Sequence, residues 1–201
     1  MKVSIVKYNA GNIFSVINSV KRLGIEPLWT DDPMEIASSD RVIFPGQGHA
    51  RTAMEYLREH NLDKVIADLK QPVLGICIGQ QLLCQHSEEG DTDCIGIFPV
   101  NVRRFQPSCH EQKVPAMGWN AIHDLKSPLF KGLNENDYVY FVHSYFLKAE
   151  DDAIVAARTH YGVAIDAAVQ CRNVIATQFH PEKSGKVGLQ MLRNFVEMTG
   201  R

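Results

Sequence analysis

Residues 72–83, PVLGICIGQQLL, form an apolar run that stops at Cys77, between Gly75 and Gly79, and continues in residues that suit a helix. A chain carrying this stretch needs a strand that ends in a sharp corner, with a helix packed close behind it. The G-x-C-x-G spacing is that of a nucleophile elbow, in which glycines on either side of the nucleophile permit strained backbone and close packing of the turn. The thiol is expected at the top of a sheet and at the start of a helix from about Ile78. The free amides and dipole of that helix favour an anion by roughly 0.3–1 kcal/mol, which suits a reactive sulfur.

The surrounding pattern supplies such a sheet. Val3–Lys7 reads as a first strand, and Ile13, Val16, Ile17, Val20 and Leu23 recur at helical spacing, with Asn12 as N-cap and Gly24 as the stop. A strand near Glu26–Trp29 follows, then one at Arg41–Phe44 that runs into Pro45-Gly46-Gln47-Gly48. Ala50–Glu59 and Leu62–Leu69 read as helices, and the elbow strand starts at Pro72. Alternation of this kind predicts an α/β fold, a mainly parallel central sheet flanked by helices in three layers. After the hydrophilic SEEGDTD segment the pattern changes to short strands around 95–105, 138–147, 153–159, 163–169 and 173–179, expected as antiparallel additions. A last helix spans about Lys186–Met198.

Composition narrows the function classes. At 201 residues and 45% hydrophobic content, the chain reads as a single domain able to bury roughly 70% of its unfolded surface. The net charge is −2, from 21 basic and 23 acidic residues. No basic block tracks a phosphate backbone, so nucleic acid is not an expected partner. No apolar run approaches the ~18 residues that would span a bilayer, and MKVSIVKYNAGN is too short in its apolar part for a signal peptide. A cytoplasmic enzyme is the expectation. Five scattered cysteines, 77, 84, 94, 109 and 171, lack a C-x-x-C pair. That argues against a disulfide framework and a zinc site, and predicts that most of them are buried, inert thiols.

Two further segments complete a chemistry. In Gln178-Phe179-His180-Pro181-Glu182-Lys183, proline keeps His180 out of the helical region, and residues two apart in an extended segment point to one side. His180 and Glu182 can therefore face one another. The carboxylate would orient the ring and stabilise the imidazolium formed when His180 takes a proton from Cys77. A lone H-x-E is more often a surface turn; paired with the elbow it reads as a triad. The Pro45–Gly48 turn leaves amides uncovered after a strand. Gly46, Gln47 and Gly48 can join Ile78, the residue after the nucleophile, as backbone donors to an oxyanion, although an ordinary turn would also use these glycines.

In the order PGxG, GxCxGxQ, FHPE, these pieces resemble the class I (triad) glutamine amidotransferases over nearly the whole chain. The resemblance implies a flavodoxin-like amidotransferase fold and hydrolysis of glutamine to glutamate and ammonia through a γ-glutamyl thioester. Cys77 would be the nucleophile, His180 the acid/base and Glu182 the orienter. Gln81 would bind the substrate glutamine with the backbone around His143, Ser144 and Tyr145. No metal or organic cofactor is implied.

Within that family, YNAGNIFSV, KVPAMGWN, YFVHSYF and ATQFHPEKSGKVG are similar to the glutaminase subunits of imidazole glycerol phosphate synthase. The implied partner is a TIM-barrel cyclase subunit, in a heterodimer, which receives the ammonia and forms imidazole glycerol phosphate and an aminoimidazole carboxamide ribotide. Asn12, Trp119 and Lys183 fall where these subunits meet the cyclase; each is also explicable as a cap, a core indole or a solvated charge. Gln47 stands where many such subunits carry valine, and Ala116 where the VPHMGWN form has histidine. Two other readings are a glutaminase serving an anthranilate or pyridoxal phosphate synthase, and a non-catalytic scaffold of the same fold. YNAGN and KVPAMGWN argue against the first, and the intact triad argues against the second.

Overall fold

The computed structural model describes residues 1–9, 11, 13–110 and 112–198. Its strands are β1 (Val3–Val6), β2 (Leu28–Thr30), β3 (Arg41–Phe44), β4 (Val73–Ile76), β5 (His86–Ser87), β6 (Thr92–Asp93), β7 (Asn101–Arg104), β8 (Ala116–Ala121), β9 (Tyr138–His143), β10 (Tyr145–Leu147), β11 (Val155–Tyr161), β12 (Val163–Cys171) and β13 (Val174–Thr177). Its helices are α1 (Phe14–Lys21), α2 (Pro33–Ala37), α3 (Ala50–Glu59), α4 (Leu62–Asp68), α5 (Ile78–Leu82) and α6 (Gly185–Glu197).

A seven-stranded sheet in the order β11-β12-β13-β4-β3-β1-β2 forms the centre. β2, β1, β3, β4 and β13 run parallel, and β12 and β11 extend the sheet antiparallel. Strand alternation divides the core between the two faces. Val42 and Phe44 of β3 pack with Ile36, Leu57 and Ile66 of α2, α3 and α4. Ile43, between them, faces Val16 and Val20 of α1 and Met191, Leu192 and Phe195 of α6. Outside this sheet, β10-β7-β5-β6 make a second small sheet and β8-β9 an antiparallel ribbon.

This is the expected mainly parallel α/β architecture, with four local differences. Strand β13, expected among the antiparallel additions, instead pairs parallel with β4, with Thr177 opposite Ile76. The hydrophilic segment after the elbow contains the short pair β5–β6, closed by Ser87–Thr92 pairing. Helix α2 is additional to the expected elements, although Asp32 caps it by accepting the Met34 and Glu35 amides, with Pro33 at the first helical position. Strand β8 is likewise additional. The α1 helix starts at Phe14 after Ile13; the expected cap, Asn12, lies outside the described residues. Gly24 ends that turn with φ +80°, a conformation glycine adopts without penalty. The cysteines also differ from expectation: only Cys77 and Cys84 are buried, Cys94 and Cys171 are partly exposed, and Cys109 is exposed.

Candidate active site

The C-terminal ends of the parallel strands converge on Cys77, the usual location of a site in such a sheet. Cys77 follows β4 directly, with φ +53° and ψ −108°, a strained conformation for a residue with a side chain. Its amide donates to the Thr177 carbonyl at 2.7 Å, so the corner is pinned to β13. The flanking glycines answer to packing. A Cβ at Gly79 would lie 2.1 Å from the Phe44 carbonyl oxygen, and one at Gly75 would lie 2.7 Å from Leu83 Cδ1. The helix beyond, α5, has five residues. What it offers the sulfur is therefore its free first-turn amides more than a long dipole.

The thiol is buried, with 8% exposure. Sγ lies 3.8 Å from the Val142 carbonyl oxygen and 3.6 Å from Gln178 Nε2, which donates to it. His180 and Glu182 come from the segment that leaves the C-terminal end of β13. His180 Nδ1 and Glu182 Oε1 are 2.7 Å apart, and both side chains are almost fully buried. The expected pairing of the two thus forms, though by a different route: Pro181–Lys183 is a single 3-10 turn rather than an extended segment. Backbone clamps hold the imidazole. His180 N–H donates to Tyr140 O at 2.9 Å, and Ser184 Oγ donates to His180 O at 2.6 Å while accepting the Tyr140 amide.

His180 Nε2 is buried and makes no hydrogen bond among the described residues. The Cys77 sulfur is nevertheless close enough to govern its charge. Burial disfavours the imidazolium, but Cys77 and Glu182 together outweigh it and hold His180 above the ordinary imidazole range. Catalytic hydrogen bonds are often loose before substrate binds. A thiol, a ring nitrogen poised to take its proton and a carboxylate on the other nitrogen can carry out nucleophilic acyl transfer.

The Pro45–Gly48 loop packs directly on the elbow. A Cβ at Gly46 would sit 1.9 Å from Ile78 Cγ2 and 3.1 Å from the Gly79 amide nitrogen. The Gln47 carbonyl accepts from Gly11 N–H at 2.6 Å, and the Pro45 carbonyl accepts from the buried Tyr8 hydroxyl. In a trans peptide the Gly48 N–H then points away from Gly11. Burial, and then the nearby Cys77, push the Tyr8 hydroxyl above the ordinary phenol range, so it stays a donor.

Gln81 is buried rather than solvated; its Nε2 donates to Tyr145 O at 3.3 Å and to Gln178 Oε1 at 3.0 Å. His143 also meets Tyr145 O, at 2.7 Å through Nδ1, and Ser144 O accepts the Phe105 amide. Burial pushes His143 down to about 4, against the Tyr145 hydrogen bond and helped by the His180 charge. Trp119 is 55% exposed, stacked edge-on against Tyr140 6.0 Å away, and shares a face of β8 with exposed Met117. It is not a core indole. Lys183 is half-buried. Ala116 is buried against Phe105 and Ile165, at one wall of a groove of about 310 Å³ that Trp119, His143 and Tyr161 also line.

Sequence reasoning passed over Tyr8, Tyr140, Gln178 and Ser184. A rule would have found two of them: inspect the first residues past each parallel strand, where Tyr8 follows β1 and Gln178 follows β13. Tyr140 acts through its backbone and Ser184 through a hydroxyl that binds only backbone groups, and neither carries a sequence signal of its own.

Among the described residues there is no group of three or more side chains suited to a metal ion, and no helix is long and apolar enough to cross a membrane. The chain resembles solved structures in fold. One, described as a glutamine amidotransferase, superposes with TM-score 0.76 at 19% identity over 98% of both chains. Another glutamine amidotransferase, from Thermotoga maritima, gives 0.70 at 14% identity over 98% of this chain and 96% of that one. Curated relatives are much nearer in sequence. Proteins named imidazole glycerol phosphate synthase subunit HisH are 52% identical in Bacteroides fragilis (strain YCH46) and 53% in Bacteroides thetaiotaomicron, each over 98% of this chain and 100% of the relative. The one from Chromobacterium violaceum is 41% identical over 100% and 99%. The model of the glutamine amidotransferase class-I family matches residues 5–198, spanning the elbow, the Pro45–Gly48 loop and the His180–Glu182 pair alike, and the chain belongs to that family.

Proposed function

We propose that this chain, acting as a single glutamine amidotransferase domain, is the glutaminase subunit of an imidazole glycerol phosphate synthase, and that it works in histidine biosynthesis. Its substrate is glutamine. Cys77 Sγ, its proton taken by His180, attacks the side-chain amide carbon of glutamine. The oxyanion that forms is met by the Ile78 amide and by amides of Gly46, Gln47 and Gly48. His180 returns the proton to the leaving nitrogen, the C–N bond breaks, and ammonia departs from a γ-glutamyl thioester. Water, deprotonated by the same imidazole, then attacks the thioester carbon; the C–S bond breaks, glutamate leaves, and the sulfur takes the proton back from His180 to regenerate the thiol. Glu182 keeps Nε2 facing the sulfur by holding Nδ1–H and stabilises the imidazolium that forms twice per cycle.

The observation that carries this reading is the 2.7 Å His180–Glu182 pair, with His180 Nε2 buried beside Cys77 and without a hydrogen-bond partner among the described residues. Both Nε2 hydrogens of Gln81 are committed within the chain, so its Oε1 is the atom left to accept from the substrate, with His143, Ser144 and Tyr145 forming the adjoining wall. The ammonia passes to a cyclase subunit in a heterodimer, which Trp119 and Lys183 engage; Asn12, given the same role, lies outside the described residues. The relatives' shared name and their full-length coverage support this partner over another synthase. Five free cysteines, including a nucleophile that must stay reduced, suit the cytoplasm.

The test is Cys77→Ala. Glutamate release should disappear while the chain still co-elutes with the cyclase. Turnover persisting in that variant removes the nucleophile from the mechanism, and turnover supported only by a different synthase partner removes the pathway.

A further inference from the structure

The Sγ of Cys77 has a second polar neighbour besides His180, and its orientation can be deduced from fixed groups. The Tyr145 carbonyl can only accept. Gln81 therefore presents Nε2 to it, and the same nitrogen meets Gln178 Oε1 at 3.0 Å. Gln178 must then turn its own nitrogen the other way, and that nitrogen is 3.6 Å from Cys77 Sγ. The relay is completely enclosed, because Gln178 is 0% and Gln81 4% exposed. Its placement follows from the sheet. Ile76 is opposite Thr177, so the residues just past the two strands, Cys77 and Gln178, lie side by side although 101 positions apart in sequence. Gln178 is also tied to β12 by its amide, which donates to Ala167 O at 2.8 Å.

We propose that Gln178 is a further catalytic residue, an amide donor to the nucleophilic sulfur whose orientation is set by Gln81 and, behind it, Tyr145. In the neutral state the S–H can point to Val142 O. Once His180 has taken that proton, the Gln178 N–H remains aimed at the sulfur and supports its charge. The same bond is available when the thioester C–S bond breaks and sulfur again carries the electron pair. Gln81 is a positioning residue in this scheme, in addition to its substrate contact. The inference rests on Cys77 being the nucleophile only for its catalytic meaning; the hydrogen bond can be read from the sulfur itself, without glutamine.

The experiment follows alkylation of Cys77 by iodoacetamide across pH in the full chain, read by mass spectrometry on the Cys77 peptide so that exposed Cys109 does not interfere. The titratable groups coupled to the sulfur are His180 and Tyr8, with Glu182 and His143 acting on His180 in turn, and the substitutions leave all four in place. In Gln178→Met the midpoint of the profile should rise by about one pH unit, the tenfold change expected for losing a hydrogen bond to a charged acceptor. The rate below the midpoint should fall only about threefold, because a more basic thiolate is also more nucleophilic. Gln178→Glu, which turns an acceptor on the sulfur, should shift it further, and Gln81→Met should shift it in the same direction by less. In complex with the cyclase, kcat for glutamate release should fall in the same order. In the unmutated chain, the Gln178 side-chain amide proton should titrate with the midpoint of Cys77 alkylation. An unmoved midpoint in well-folded Gln178 variants overturns the proposal, and so does a pH-invariant amide resonance, which needs no variant to fold. Loss of glutaminase in Cys77→Ala bears on the nucleophile and leaves this outcome independent.

Discussion

At the scale of single residues, two buried histidines stand near one another and their surroundings push them in opposite directions. His180 is kept above the ordinary imidazole range because the neighbouring Cys77 and Glu182 together outweigh its burial. His143 has only a carbonyl partner, and burial drives it down to about 4. The second effect has a stability consequence. The unfolded chain protonates this histidine near its ordinary value while the folded chain resists, so its contribution is intact above about pH 6.5 and is lost as pH falls toward 4. Between pH 7.5 and pH 5 this site alone should cost about 2 kcal/mol, the linkage for a shift of this size. His143→Asn keeps a donor for Tyr145 O and removes the titration. Urea unfolding of the two proteins at both pH values should show a smaller acid loss in the variant. An equal loss would mean that His143 titrates normally in the folded state.

At the scale of elements, the corner between β4 and α5 depends on how closely α5 approaches β3. Gly79→Ala would place a methyl 2.1 Å from a β3 carbonyl oxygen that cannot retreat without breaking the sheet. Stability should fall by about 1–3 kcal/mol, as for overpacked cores. Glutamate release should drop by about 10², because a misplacement of roughly 1 Å at a reacting atom costs that much. Urea denaturation and the glutaminase assay on one preparation check both, and a variant of native stability and rate would show that the corner has slack. The elbow itself was legible in the sequence because all its determinants are local: an apolar strand, two glycines and a helix start within twelve residues. So were β3, α3 and α6, each marked by a periodic run. Strand direction was not. NVIATQF reads the same whether its neighbour runs up or down, and only the Thr177–Ile76 register, made with a distant segment, decides it. The β5–β6 pair was hidden because two-residue strands have no period to detect, and α2 because its five residues carry one buried apolar side chain, Ile36. In the site, residues carried by a recognisable motif were found, and those whose roles depend on contacts with distant segments, such as Gln178 beside Cys77 and Ser184 between Tyr140 and His180, were not.

At the scale of the whole molecule, one end of the sheet presents both the triad and an exposed apolar face. Met117 and Trp119 stand out from β8, and Tyr140, stacked on Trp119, gives its carbonyl to the His180 amide. A partner covering that face therefore touches the scaffold that holds the acid/base. The Gly11 to Gln47 hydrogen bond joins the N-terminal loop to the Pro45–Gly48 loop in the same region. Binding of the cyclase should accordingly accelerate glutamate release. Trp119→Ala should raise the Kd for the cyclase by about thirtyfold, the ~2 kcal/mol typical of a large aromatic anchor. Titration calorimetry and the rate with and without cyclase test the two statements separately; an unchanged Kd would remove Trp119 from the interface, and equal rates would remove the coupling. The parallel seam between β4 and β13 also has a consequence for how the enzyme comes into being. Cys77 and His180 arrive on segments synthesised far apart in time, and neither can find the other until that seam zips. A nascent or partly refolded chain thus holds an unassisted thiol, and competence to cut glutamine should emerge among the last events of folding, together with closure of the sheet.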